Sequence, residues 1–257
     1  MAYSTIDKSS EHFNPVTYTG NTSNGHAITG VGFNPDFVWI KSRNQADFSH
    51  MLYDVVRTAV SGPFELRSNA TNAQSTDSSG LVSFDSDGFT LNSGGYVNTG
   101  NFVSWNWKAG GSPSSNTDGS ITSSVSANTT NGFSIVTYTG TGSNATVGHG
   151  LGSVPKMIII KGYSNTPNWQ VYHASYGNTG GGQLNLTNAF SGDGMFQNTT
   201  PTNSVFSLGT SGNVNGSGQT MVAYCFADVK GFSKFGSYTG NGNADGTFIY
   251  TGFKPAY

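Results

Sequence analysis

Short apolar runs broken by Gly, Asn, Ser and Thr follow one another along the whole chain. Runs of this length, rich in β-branched and aromatic residues, predict strands. Phe37-Val38-Trp39-Ile40 and Met157-Ile158-Ile159-Ile160 are apolar at every position. Each is too short for a helix and reads as a central strand covered on both faces. Pro35 and Pro155 stand just ahead of them, where a strand tolerates proline. Two other runs alternate. Val103, Trp105 and Trp107 interleave with Ser104, Asn106 and Lys108, while Val222, Tyr224 and Phe226 interleave with Ala223, Cys225 and Ala227. Successive strand residues point to opposite faces, so the large apolar set is assigned to the core. The other set changes from polar to small and predicts a more covered face in the second case. The one stretch with any helical look, 48–56, is short and made of β-formers.

The pattern repeats. Val16-Thr17-Tyr18-Thr19-Gly20 returns as Val136-Thr137-Tyr138-Thr139-Gly140 and, shortened, as Ser237-Tyr238-Thr239-Gly240. From Tyr18 to Pro35, Tyr138 to Pro155 and Tyr238 to Pro255 the spacing is 17 residues each time. Such self-similarity marks an array of like units. Each unit runs for about 100 residues, a common domain size. The expectation is an all-β chain of tandem β-sandwich modules with an incomplete third repeat. An N-terminal segment (1–11) precedes module 1 (12–110), a Gly/Ser/Thr-rich linker (111–130) and module 2 (131–231). The start of a third, truncated module (232–257) follows. The linker carries only isolated Ile121 and Val125, too little to bury much apolar surface.

Composition narrows the class. Charged residues are 9% of the chain, against about 25% in average proteins. Aromatics are 13%, enough to build a core. The net charge is -2 with 11 Lys plus Arg and no basic cluster, which argues against nucleic acid. Cys225 is the single cysteine, so no disulfide framework exists, and a small buried thiol is expected. No apolar run reaches membrane-spanning length, and the first residues lack a secretion signal. Membrane insertion is not expected.

Candidate chemistry is sparse. Of 13 acidic residues only Glu11 and Glu65 are glutamates. Glycoside hydrolysis takes two facing carboxyl groups, yet Asp36 lies opposite Lys156 and Asp54 opposite His173 between the copies. No catalytic residue and no cofactor is assigned. Phe84-Asp85-Ser86-Asp87-Gly88-Phe89 resembles the start of a calcium loop, which makes Asp85 and Asp87 the metal candidates. No late Glu follows, and a turn between strands is the better reading. His50, Tyr53, Asp54 and Arg57 form the most polar cluster, and an Asp54–Arg57 ion pair across a turn is its plain explanation. Trp169 follows Thr166-Pro167-Asn168 in a loop and, with Tyr176, is the candidate for stacking on a sugar. A loop aromatic packed on its own domain is the alternative.

Asn34-Pro35-Asp36-Phe37-Val38-Trp39-Ile40-Lys41-Ser42-Arg43-Asn44, Ser83 to Leu91 and Trp105-Asn106-Trp107-Lys108-Ala109-Gly110 together form a specific set. So do Val147 to Lys156 and Ala223 to Asp228. As sets they resemble a repeat module of structural proteins from marine tailed phages, including cyanophages, over nearly the whole chain. The resemblance implies a virion component, fibre-like or surface-exposed, with a fuller third unit than this chain has. The functional expectation is a non-enzymatic phage virion surface protein: a tail fibre or receptor-binding component that contacts the host envelope, made in the infected bacterium and released by lysis. Capsid decoration and a polysaccharide depolymerase are the alternatives. Expected partners are further copies of the chain, a trimer first, then other virion proteins and a host surface glycan bound weakly at many points.

Overall fold

The computed structural model describes residues 4–59, 62–192 and 194–255. The fold is all-β, with antiparallel pairing throughout the named strands. In the first half the strands are β1 (Phe13–Thr19), β2 (His26–Ile28), β3 (Phe37–Ser42), β4 (Met51–Asp54), β5 (Thr58–Ala59), β6 (Gly62–Pro63), β7 (Leu66–Arg67), β8 (Leu81–Asp85), β9 (Gly88–Leu91) and β10 (Asn101–Trp107). A single helical turn, α1 (Gly95–Asn98), precedes β10. The second half holds β11 (Ser114–Asn116), β12 (Ser123–Asn128), β13 (Phe133–Thr139), β14 (Ala145–Gly148), β15 (Pro155–Gly162), β16 (Gln170–His173), β17 (Gly180–Gln183), β18 (Ser191–Gly192), β19 (Val205–Leu208) and β20 (Thr220–Ala227). Its helical turn is α2 (Gly212–Asn215). The 48–56 stretch contains β4, so strand propensity decides there.

The first half has a large sheet, β1-β10-β3-β4-β7, and a small one, β2-β9-β8. The second has β11-β12-β13-β20-β15-β16-β17-β18 and the small pair β14-β19. The order β1-β10-β3-β4 returns as β13-β20-β15-β16. The central strands β3 and β15 are the two runs read as apolar on both faces. Val38 and Ile40 are fully buried, as are Ile158 and Ile160.

The repeated Tyr and Gly now have a reason. The Tyr18 hydroxyl donates to the Val97 carbonyl of α1, and that of Tyr138 donates to Val214 of α2, both at 2.7 Å. Gly20 and Gly140 lie against the backbone after these turns, and a Cβ on either would overlap main-chain atoms of Asn98 or Gly216. Asn98 and Asn215, both fully buried, finish the joint. Asn98 Oδ1 accepts from Asn21 N at 3.0 Å and its Nδ2 donates to the Ser23 and Asn92 carbonyls. Asn215 does the same with Thr141 N at 2.8 Å and the Ser143 and Gly209 carbonyls. Buried amides persist only when their donors and acceptors are met.

Three apolar cores alternate with the sheets. One joins the small and large sheets of the first half, through Ile28, Leu81, Phe89 and Leu91 against Val38, Ile40, Met51 and Phe102. Another does so in the second half, through Val147, Phe206 and Leu208 against Val136, Ile158, Met221 and Cys225. The third lies between the two large sheets, where Phe37, Leu52 and Leu66 meet Phe133, Ile159, Trp169, Val222 and Tyr224. The layers therefore run small, large, large, small. Phe37 stacks on Tyr224 across the seam with centroids 4.5 Å apart, and Trp107 lies 6.2 Å from Phe133.

This layering corrects two expectations. In β10 it is Ser104 and Asn106 that are fully buried, while Trp105 and Trp107 are half-buried. Both faces of the large sheet are covered, so alternation does not separate core from solvent here. Asn106 Nδ2 donates to the Asn14 carbonyl at 2.8 Å and to Ser104 Oγ at 3.0 Å, which lets a polar residue occupy the sandwich interior. In β20 the large set Val222, Tyr224 and Phe226 is buried as expected. The second correction concerns 111–130. It is not a free linker: β12 pairs with β13 along its length, and Ile121 and Val125 are buried. Small Ser and Ala side chains let that strand pack closely, so two apolar residues suffice.

The third copy of the motif differs from the first two. No strand forms between 234 and 255, and Tyr238 is 70% exposed where Tyr138 is 4% exposed. Phe248 and Tyr250 are also exposed.

Candidate functional site

Two members of the polar cluster read from sequence, Asp54 and Arg57, form a staple across the seam, while Tyr53 packs into the core of the first half and His50 borders a cleft. Asp54 ends β4, and the chain turns so that its Oδ1 accepts from Val56 N and Arg57 N at 3.0 and 2.9 Å. Arg57 Nε donates to Asp54 Oδ2 at 2.8 Å, within an ion pair at 2.7 Å. The Tyr224 hydroxyl, from the second half, donates to the same Oδ2 at 2.7 Å, and Arg57 Nη2 reaches that hydroxyl at 3.3 Å. The Asp54 and Arg57 side chains are 0% and 2% exposed. Burial alone would lower the Arg57 pKa, but Asp54 and Tyr224 outweigh it and hold it above the usual arginine value. The expected ion pair is present, and its third member had no signal in the first unit alone. Sealed in this way, Asp54 cannot reach a polymer substrate.

Trp169 and Tyr176 do not share a surface. Trp169 is fully buried and its indole donates to the Arg67 and Ala70 carbonyls of the first half at 2.9 and 3.1 Å. It cannot stack on a ligand. The seam claims it because an indole both fills apolar space and satisfies loop carbonyls. Tyr176 is 43% exposed and packs against Phe190, centroids 5.2 Å apart. Asp85 and Asp87 are spent on their hairpin. Asp85 accepts from the Ser83 and Thr90 hydroxyls, and Asp87 accepts from Gly30 N and Gly32 N. Those two backbone bonds lower the Asp87 pKa. Among the described residues no group of three or more metal-ligating side chains converges. Cys225 is buried, as expected, and burial pushes its thiol up to about 12.

Lys41 and Lys161 escaped the sequence reading, although both follow the apolar strand in register. Lys41 Nζ donates to the Gln45, Ala46 and Phe48 carbonyls, and Lys161 Nζ to those of Asn165 and Pro167 and, across the seam, Thr71. Lys161 is fully buried, and desolvation pushes its pKa down to about 8.

The seam is not filled along its whole length. At one end the large sheets splay over a cleft of ≈560 Å³, with Phe13, Trp107, Phe226 and Phe235 among its walls. Thr251, Phe253 and Pro255 of the third copy also line it. Trp39 and Leu184 border both this cleft and a second one of ≈320 Å³, whose other walls are His50, Ser68, Asn69, Asn185, Leu186 and Thr187. The register explains the opening. Ile40 pairs with Met51 and Ile160 with Gln170, so His50 and Trp169, each one residue earlier, hold equivalent places. Trp169 plugs its side of the seam; the smaller His50 leaves its side open. Trp39 donates from its indole to His50 Nδ1 at 3.1 Å, which puts the ring proton of neutral His50 on Nε2. Burial, with the charge of Lys41, holds His50 below the usual imidazole range, so it is neutral at pH 7.

No helix among the described residues is long and apolar enough to cross a membrane. No curated protein matches the chain, and no solved structure does. A family model described as Domain of unknown function (DUF7483) matches residues 8–257, spanning both halves and the third copy, and the chain belongs to that family.

Proposed function

We propose that this protein is a non-enzymatic surface component of a tailed-phage virion, of the tail-fibre or attachment kind, that works by holding loops rigidly outward. The observation that carries the reading is the seam. Two sandwiches are locked face to face by the Asp54–Arg57–Tyr224 staple, by Trp169 and by Lys161, with Phe37 stacked on Tyr224 between them. A body joined in this way resists bending between its halves. A chain rich in Ser, Thr, Asn and Gly, with 9% charged residues overall, suits weak repeated contact. The resemblance to marine phage structural proteins supports the same reading.

The proposed assembly is a homotrimer. Among the described strands β1 has one neighbour, β10, whereas the equivalent β13 is covered by β12 on its other side. An open edge invites a partner chain.

Antibody-labelled electron microscopy of the source virus particles tests the function. Label at the tail or its fibres is the expected result. Label over the capsid would replace attachment with decoration, and unlabelled particles would overturn the virion reading.

A further inference from the structure

We propose that the polar end of the seam groove, around Trp39 and His50, binds a neutral oligosaccharide. The proposal deepens the attachment reading and rests on it for its biological sense, but its geometry stands alone.

The space is adequate. A cleft of ≈320 Å³ lies within the range of about 300–1,000 Å³ usual for small-ligand sites. Its walls are of two kinds. Trp39 is half-buried, with Trp105 set edge-on to it at 6.4 Å. The Trp39 N–H is spent on His50, so the indole offers the ligand carbon surface. Leu184 and Leu186, 39% and 43% exposed, give the facing wall. The rest is polar and uncharged. His50 presents Nε2–H. Asn69 uses its carbonyl oxygen on His50 N at 3.0 Å, which leaves its amide hydrogens for a ligand. Ser68, itself buried, and exposed Thr187 complete the lining.

This mixture selects a ligand class. No carboxylate, lysine or arginine lines the cleft, so an ionic ligand finds no counter-charge. A purely apolar ligand would strip water from the His50, Asn69 and Thr187 groups without replacing their hydrogen bonds, a costly exchange. A pyranose fits both demands. Its C–H face covers an aromatic ring and its equatorial hydroxyls trade bonds with amides, hydroxyls and an imidazole N–H. The groove continues past Trp39 toward Trp107 and Phe13, which gives a chain of sugar units somewhere to extend; Lys234 and Lys254 also line that longer part, so the preference for a neutral sugar is set at the Trp39–His50 end. The internal comparison strengthens the assignment: the equivalent place in the second half is closed by Trp169, so the open side is a property of His50 rather than of the repeat.

The test uses the full chain on an array of neutral and acidic oligosaccharides, followed by calorimetry with the strongest neutral hit. Binding to neutral members is expected. Asn69→Ala, at an exposed position, and Trp39→Phe, which keeps the core filled, should each weaken it by about tenfold, the loss of one good contact. Tyr176→Ala, outside the groove, should leave it unchanged. In the unaltered protein the sugar should slow amide hydrogen exchange at residues 50, 68–69 and 185–187. Binding of acidic members alone, no binding of any neutral sugar, or neutral binding untouched by Asn69→Ala and Trp39→Phe would each overturn the site. The two readings fail separately. Label on virion tails without sugar binding removes the site alone, and sugar binding without label on any virion removes the virion reading alone.

Discussion

Replacing Asp54 with alanine removes an acceptor that serves four donors: Val56 N, Arg57 N, Arg57 Nε and the Tyr224 hydroxyl. What remains is a guanidinium whose side chain is 2% exposed, with, among the described residues, Gln74 Oε1 at 3.2 Å and the Tyr224 oxygen as acceptors. Breaking a buried pair by deleting one member costs about 3–5 kcal/mol, because the surviving charge stays buried. That is roughly two to four powers of ten in the folded-to-unfolded ratio. Removing both members should cost less than the sum of the two single changes. In Asp54→Leu with Arg57→Met no charge is stranded, and the losses are the two backbone caps, at about 1 kcal/mol each, and the Tyr224 hydroxyl, buried and stripped of Asp54 and Arg57, at about 1–3 kcal/mol. The assay is urea denaturation followed by tryptophan fluorescence and by circular dichroism, with the unaltered protein, Asp54→Leu, Arg57→Met and the double variant treated as a cycle and Asp54→Ala measured beside them. Tyr224 belongs to the other half, so both signals should move together in one transition. A cost below about 1 kcal/mol for Asp54→Ala, well under the range for a broken buried pair, would refute the reasoning. So would a double variant as unstable as the sum of the singles, or two separate transitions of which only one shifts.

Lys161 makes stability depend on pH. Its pKa is about 8 when folded against about 10.4 in a free chain. The unfolded chain therefore binds more protons between those values, so Lys161 contributes stability that rises with pH from about 8 to 10, while the Cys225 thiol, pushed up to about 12 when folded against about 8.5 in a free chain, opposes that rise from about 8.5 upward. Above pH 10 the buried tyrosines Tyr18, Tyr53, Tyr138 and Tyr224, all raised by burial, reverse the trend, because the unfolded chain then loses protons that the folded one keeps. Lys161→Met should remove the Lys161 contribution, read as a difference in melting temperature from the unaltered protein that changes with pH across that window. Cys225, buried and with its thiol pushed up to about 12, should resist a thiol reagent in the native protein at pH 8 and react at once in denaturant; fast native labelling would contradict the burial.

Much of the architecture was legible in the chain. Runs apolar at every position marked β3 and β15, because only a strand covered on both sides has no use for a polar face. The Tyr–Gly repeat showed the halves to be alike, yet its purpose was hidden, since the groups it meets are the carbonyl of Val97 or Val214 and the backbone beside Asn98 or Asn215. Backbone atoms leave no trace in a sequence. The face assignment of β10 failed for a related reason. Trp105 and Trp107 look like core and Ser104 and Asn106 like surface only if the polar face is the one that sees water, and here that face is fully buried while Trp107 borders an open cleft. Trp169 misled in the same way: a tryptophan with no counterpart in the other unit reads as functional, and its partner, the carbonyls of Arg67 and Ala70, lies about a hundred residues away. The groove was illegible because it arises from a difference between equivalent places, His50 against Trp169, that only the face-to-face docking turns into space.

The lysine clamps have a consequence for how such a scaffold can change. Lys41 and Lys161 grip main-chain oxygens alone: Gln45, Ala46 and Phe48 in one loop, Asn165 and Pro167 in the other. The two loops share no residue at those positions, yet each is fastened by a lysine at the end of the central strand. Shape is thereby uncoupled from identity. A loop held by its carbonyls can exchange its outward side chains without losing its anchor, so this tether leaves new surfaces open to trial while the sheets beneath stay as they are.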